Sequence, residues 1–182
     1  MRICAVIVIA VALAGCGGTQ STSQFGDVPL VVAGEPGADE AGIFLATHRG
    51  YDTAEGVTLI VERSGAADFR VVSEPPPGCV SVLAIVRPDR LVLCADEVIL
   101  QDERSKVVAV ARALARGYTQ AQLEPEEAVN AMTEQNPALD REQLSAELDE
   151  VAPTWTAGAE YFGELAPGPG RDPSVAREAQ ER

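Results

Sequence analysis

Hydrophobic residues fall first into short unbroken runs and later into longer periodic stretches. The run VPLVVAG at 28–34 is β-branched and stopped by Gly34, the pattern of a buried strand. In EPGADEAGIFLATHRGYDTAEG, which follows, Ile43, Phe44, Ala46 and Thr47 lie at helical spacing. Asp39 stands where an N-cap belongs, and Gly50 marks the C-terminal stop. VTLIVER at 57–63 reads as a second strand. The chain therefore opens strand, helix, strand, a unit that in an α/β protein implies parallel strands.

Residues 64–78 hold a short strand pattern at 69–72 and a triple proline that excludes helix. CVSVLAIV and LVLCADEVIL then supply one or two strands around the turn Arg87-Pro88-Asp89-Arg90. Beyond this point the period changes. In DERSKVVAVARALARGY, Val107, Val108, Val110, Ala111, Leu114 and Ala115 share one side of an amphipathic helix predicted to end at Gly117. EPEEAVNAMTEQ carries Pro125 at a first-turn position, and a further helix has Asp140 and Gln143 in capping-box spacing ahead of Leu144, Leu148 and Val151. The Pro/Gly-rich, charged segment 166–182 is expected to be disordered, and no internal repeat is present.

The N-terminus follows another pattern. Arg2 is followed by an apolar run that ends in small residues, the layout of an export signal. That run, about 13 residues, is too short for a hydrocarbon core, which takes ~20 residues of helix. Leu13-Ala14-Gly15-Cys16 resembles the bacterial lipobox, which implies cleavage before Cys16 and lipidation of its thiol. An ordinary secretory signal with a chance cysteine is the other reading. GGTQSTSQFGD behind it is a flexible polar tether. The expected organisation is a signal at 1–15, a lipidated tether at 16–27, one α/β domain at 28–165 and a tail at 166–182. Such a chain would sit lipid-anchored on the extracytoplasmic face of a bacterial cell membrane.

Charge and cysteines narrow the chemistry. With 28 acidic against 14 basic residues and a net charge of −14, the chain is a poor partner for nucleic acid. The acids concentrate after Gly117, where LEPEE and QLSAELDE read as solvated helix faces. With Cys4 in the signal and Cys16 lipidated, Cys79 and Cys94 remain as a pair in an oxidising compartment. A bridge between them would contribute roughly 3 kcal/mol. A tight hairpin at Pro88-Asp89, however, sets Cys94 opposite Leu83 and leaves Cys79 too far along the strand for a disulfide. The bridge then needs a kink, a different register or no hairpin, and both outcomes stand open. There is no zinc-type Cys/His grouping, no Gly-x-Ser-x-Gly elbow, no phosphate loop and no Ser or Cys partner for His48, the single histidine. No metal, cofactor or catalytic residue is therefore expected.

Two stretches resemble the solute-binding proteins of ABC importers, of the nitrate, taurine and thiamine-precursor type. In AGIFLATHRGYDTAEGVTLIVER, Phe44, Ala46, Gly50, Tyr51, Glu55, Gly56, Val57 and Leu59 stand in the family's positions. In the later half, Arg112, Ala113, Leu114, Arg116, Gly117 and Tyr118 match an Arg-Ala-Leu-x-Arg-Gly-Tyr helix end. Pro125, Glu126, Glu127 and Ala128, followed by Asn136, Pro137 and Leu139, match what comes after it. The resemblance implies an α/β fold of periplasmic-binding type II, with a βαβ opening, a mixed sheet and a C-terminal helical portion. Members of that family are longer and trap ligand between two lobes, so this chain resembles a single lobe with much of the second one missing.

The implied function is capture of a small solute for an ABC permease by a monomer held at the membrane, without covalent chemistry. An accessory or interaction lipoprotein that keeps the fold is the alternative. Carried over from the family, the ligand-contacting positions are Glu35, Pro36 and Asp39, then Phe44, then Ser64 and Gly65. The competing reading has Glu35 and Asp39 capping the helix, Phe44 in the core and Ser64-Gly65 as a plain turn. His48 reads as an exposed side chain, a pH sensor or a ligand contact, and Trp155 as a dock for the C-terminal segment or a ligand-stacking ring.

Overall fold

A computed structural model describes residues 24–181; the signal, Cys16 and the first part of the tether lie outside the described residues, as does residue 182. The β-branched run near the start forms β1 (Asp27–Val32), and VTLIVER supplies β2 (Thr58–Glu62). β3 (Phe69–Val72), β4 (Cys79–Val86) and β5 (Leu91–Asp96) complete one five-stranded sheet in the order β2-β1-β3-β5-β4. β1 runs parallel to both β2 and β3, whereas β5 is antiparallel to β3 and β4. The crossover from β1 to β2 is helical, through a 3-10 turn (Ala38–Glu40), α1 (Ala41–His48) and α2 (Tyr51–Ala54). Gly50, with φ of 65°, makes the left-handed break between the two helices.

After β5 the chain is helical: α3 (Glu97–Asp102), α4 (Arg104–Leu123), α5 (Pro125–Gln135), α6 (Arg141–Val151) and α7 (Pro173–Glu178). LVLCADEVIL is thus not one strand. Asp96 ends β5 and caps α3, its side chain accepting from the backbone N–H of Val98 at 2.9 Å. Asp140 caps α6 as its spacing implies, accepting from Gln143 at 3.0 Å. The main core lies between the sheet and the helices, where Leu30, Phe69, Leu83 and Leu93 meet Ile43, Leu45, Val110 and Leu114. Among the described residues no helix is long and apolar enough to cross a membrane.

Gly117 does not end its helix. α4 continues to Leu123, and Gly117 sits where α1 crosses it. A Cβ there would fall 2.1 Å from the carbonyl oxygen of Gly42 and 2.7 Å from Cβ of Ala46. On the facing helix, a Cβ at Gly42 would meet the Tyr118 ring at 2.2 Å. The residues that carry the family resemblance are largely those that join α1 and α2 to α4. Glu55 accepts from Arg112 at 3.1 Å and from Arg116 at 3.4 Å, and the Arg116 guanidinium lies 4.5 Å from the centre of the Tyr51 ring. Beside them, the buried carboxylate of Asp52 ties α2 to β2, accepting from Thr53 N–H at 2.8 Å and Leu59 N–H at 3.0 Å.

The pairing of Cys79 and Cys94 is settled by register. Irregularities between Ser81 and Leu83 and between Ala84 and Val86 shift the β4–β5 ladder, so Cys94 lies opposite Ser81 and Cys79 opposite Asp96. The two Cα atoms come within 5.6 Å and the disulfide forms. The regular hairpin that would have separated them is not the one adopted.

Disorder was the wrong expectation for the C-terminal segment. Ala84 N–H donates to the Gly163 carbonyl at 3.1 Å, Ser81 N–H to Gly170 at 2.9 Å, and Asp172 N–H to Ser81 at 2.8 Å. The glycine-rich chain therefore covers the free edge of β4. Leu165 packs on Ala84 and Val92, on the side of the sheet away from the main core. α7 then buries Val175 and Ala176. Arg104 holds it through Asp172 at 2.8 Å and Glu178 at 2.6 Å, and Arg112 donates to the Glu178 carbonyl at 2.9 Å. At the other end of the chain, Phe25 N–H donates to Gly56 at 2.8 Å, so the ordered body begins before residue 28 and runs past residue 165.

Candidate functional site

β1 is flanked on both sides by parallel neighbours, and its carboxyl end opens into a loop that leads to the 3-10 turn before α1. In open α/β sheets this is where ligands sit, because the strand ends leave a crevice that crossover loops can line. Here the crevice is a cleft of about 460 Å³. Val32 enters it from the end of β1 and Ala33 from the loop that follows, Asp39 and Glu40 from the 3-10 turn, and Glu147 and Glu150 from α6. Arg90 comes from the β4–β5 turn and Leu91 from the start of β5.

The 3-10 turn is held from beneath. Tyr118, fully buried in α4, donates its hydroxyl to the Asp39 carbonyl at 2.7 Å, and burial raises its pKa well above the ordinary phenol value. Trp155 meets the Tyr118 ring edge-on at 4.8 Å and Phe162 stacks on it at 4.9 Å. Trp155 is itself fully buried, so its ring anchors the segment after α6 in the core.

Glu40 is only 4% exposed. Its Oε1 accepts from Arg63 Nη1 at 2.8 Å, and Arg63 in turn lies 5.9 Å from the centre of the Phe44 ring. The second oxygen, Oε2, is buried without a hydrogen-bond partner, as is Oδ1 of Asp39. Oδ2 of Asp39 has only a loose ion pair with Arg90, at 3.7 Å. Burial raises the pKa of both carboxyls, opposed at Glu40 by its bond to Arg63 and at Asp39 by Arg90; Glu147 adds to the rise at Asp39. Neither side chain makes a capping bond to the helix it precedes.

Of the positions carried over from the resemblance, the structure brings Glu35 and Asp39 to the cleft. Pro36 lies in the same loop without lining it, Phe44 is buried in the core, and Ser64 and Gly65 form an exposed turn after β2 that is not part of the cleft. Asp39 is no cap, because its side chain turns into the cleft rather than back to the backbone. Within QLSAELDE, read as a solvated face, Glu147 is half-buried and lines the cleft beside Glu150, which stays exposed. Glu40 and Arg90 were not anticipated. The adjacency of two acids before an apolar helix was the available signal for Glu40, but periodicity could not say that it would be buried. His48 is exposed, 3.7 Å from Glu134. Among the described residues no group of three His, Cys, Asp or Glu converges to hold a metal ion.

No protein-family model matches the chain, and no curated protein matches its sequence. A solved structure matches its fold. It is that of a conserved Candida albicans gene product that defines a new family of proteins with the generic periplasmic binding protein fold. The match has a TM-score of 0.52 at 8% identity and covers 85% of this chain and 88% of that one. At this identity the likeness carries the fold alone. The chain is a mixed α/β protein with the periplasmic-binding-protein fold.

Proposed function

We propose that the protein is a lipid-anchored, extracytoplasmic solute-binding protein that captures a small molecule and passes it to an ABC permease. The observation that carries this reading is the cleft at the carboxyl end of β1, whose size lies within the range of small-molecule sites. A disulfide between Cys79 and Cys94 suits an oxidising, extracytoplasmic compartment. Capture is an equilibrium event in this scheme. Polar groups at the strand end and on the 3-10 turn orient the solute, and no bond is made or broken.

The test is a thermal melt of the purified full chain with a panel of sulfonates, nitrate, pyrimidines, amino acids, amines and flavins. A ligand at 100 times its dissociation constant adds about 2.7 kcal/mol to the folded state. For a chain of this size that raises the midpoint by roughly 5–10 °C. One class of solute is expected to do so. A cooperative melt that nothing shifts would replace this reading with that of an accessory lipoprotein. Lipid anchoring is tested separately, by incorporation of labelled fatty acid that Cys16→Ser abolishes.

A further inference from the structure

We propose that the cleft selects a small organic cation bearing a hydrogen-bond-donating ammonium group, a protonated primary amine, with Glu40 and Asp39 as its receptors. This deepens the solute-binding reading and rests on it. The cleft draws carboxylates from separate parts of the chain: Glu35 from the loop after β1, Asp39 and Glu40 from the 3-10 turn, Glu147 and Glu150 from α6. The one cation among its lining residues is Arg90, which is two-thirds exposed and only loosely paired.

An acidic surface alone says little, but Glu40 is not on the surface. It is a carboxylate more than nine-tenths buried that keeps one oxygen bonded to Arg63 and the other, Oε2, without a donor; the buried Oδ1 of Asp39 shares that condition. A buried carboxylate oxygen without a donor is costly, and such groups are almost always paired. Helix capping does not account for them, since neither side chain bonds the start of α1. Neither oxygen has open surface as the turn now packs, so a ligand that brings N–H donors and positive charge would satisfy both as the 3-10 turn gives way to admit it.

Other ligand classes fit less well. An anion would face five carboxylates and one arginine. A bare metal ion would need converging ligands, and none converge among the described residues. A quaternary ammonium has no N–H to offer and is usually held by aromatic faces, which the lining of this cleft lacks.

Isothermal titration of the full chain with three four-carbon probes separates these cases: 1,4-diaminobutane, butane-1,4-diol and succinate, with tetramethylammonium as a fourth. The diamine is expected to bind, and the diol, the dianion and the quaternary ion to bind at least tenfold more weakly or not at all. Asp39→Asn and Glu40→Gln should each weaken diamine binding tenfold or more, as loss of a charged hydrogen bond does. Glu126→Gln, which removes a charge from α5 outside the cleft, should leave it unchanged and so exclude general attraction to an acidic protein. Should Glu40→Gln fail to fold, Asp39→Asn, at a half-exposed side chain, carries the test. Equal binding by the diol, or full affinity in both cleft variants, would overturn the assignment. If amines fail while another class in the panel shifts the melt, the cation assignment falls and solute binding stands; if nothing binds, both fall.

Discussion

Gly117→Ala is the sharpest test of how the helices pack. In a helix interior open to solvent, replacing glycine by alanine stabilises by about 1 kcal/mol. Here the added methyl would lie 2.1 Å from the Gly42 carbonyl oxygen and 2.7 Å from Cβ of Ala46. Ordinary carbon contacts sit at ~3.5–4.0 Å, so the 2.1 Å contact must open by roughly 1.4 Å or more, which forfeits about half or more of each close contact between α1 and α4. Overpacking of this kind costs about 1–3 kcal/mol or more. With backbone on one side of the clash, the upper end applies. After the propensity gain is deducted, the net loss is about 2 kcal/mol, or roughly 4–8 °C in the melting midpoint. Urea denaturation followed by circular dichroism measures it directly.

A helix that ended at Gly117 would also lose stability on this change, so Gly42→Ala supplies the second arm. Its methyl strikes the Tyr118 ring across the same helix crossing. Once one substitution has separated the helices, the other costs less, and the double variant should lose clearly less than the sum of the singles. Strict additivity, or a Gly117→Ala midpoint at or above that of the parent, would refute the crossing. Gly37→Ala, where a Cβ meets nothing within 4 Å, is the neutral control.

Tyr118→Phe removes the hydroxyl bonded to the Asp39 carbonyl and is expected to cost about 1 kcal/mol in urea denaturation. The Cys79–Cys94 bridge spans 15 residues, so Cys79→Ser with Cys94→Ser should lower stability by about 3 kcal/mol in non-reducing buffer and remove the effect of reductant. Asp39 has a folded-state pKa raised above 3.8, so the folded state holds more protons than the unfolded one and stability falls as pH climbs from there through the raised value; Asp39→Asn should flatten that part of the profile. At Asp172 burial is outweighed by the bonds to Arg104 and Ser174, which lower its pKa below 3.8. Its contribution is present above 3.8 and lost as pH falls through the folded value, so Asp172→Asn should destabilise at pH 7 and change little in strong acid. Deleting 166–182 uncovers the β4 edge and the surface that Val175 and Ala176 bury, and light scattering should show association where the full chain stays dispersed.

Period and punctuation along the chain determined the βαβ opening, the parallel pairing of β1 with β2, and the starts of α5 at Pro125 and of α6 at Asp140. These features rest on interactions within a few residues or on one repeating face, which a linear pattern records. The resemblance marked the fold for a related reason: Tyr51 and Glu55 meet Arg116 and Arg112, so the recognisable residues are those that lock α1 and α2 onto α4. They say little about ligand.

What only the tertiary structure decided depends on partners far apart in sequence. Gly117 looked like a helix end because glycine usually is one, and only the passage of α1 beneath it shows why the helix runs through. The segment after Ala166 looked disordered because its composition lacks a core, yet its backbone groups find theirs on the edge of β4. Two register shifts, invisible to alternation, bring Cys79 to Cys94. The cleft is of the same kind. Glu40 is an ordinary acid before a helix until Arg63 and the packing of the 3-10 turn bury it, and Glu147 and Glu150 reach the cleft only because α6 folds against that turn. Burial turns a common charge into a costly one that needs a partner, and burial is a property of the folded chain.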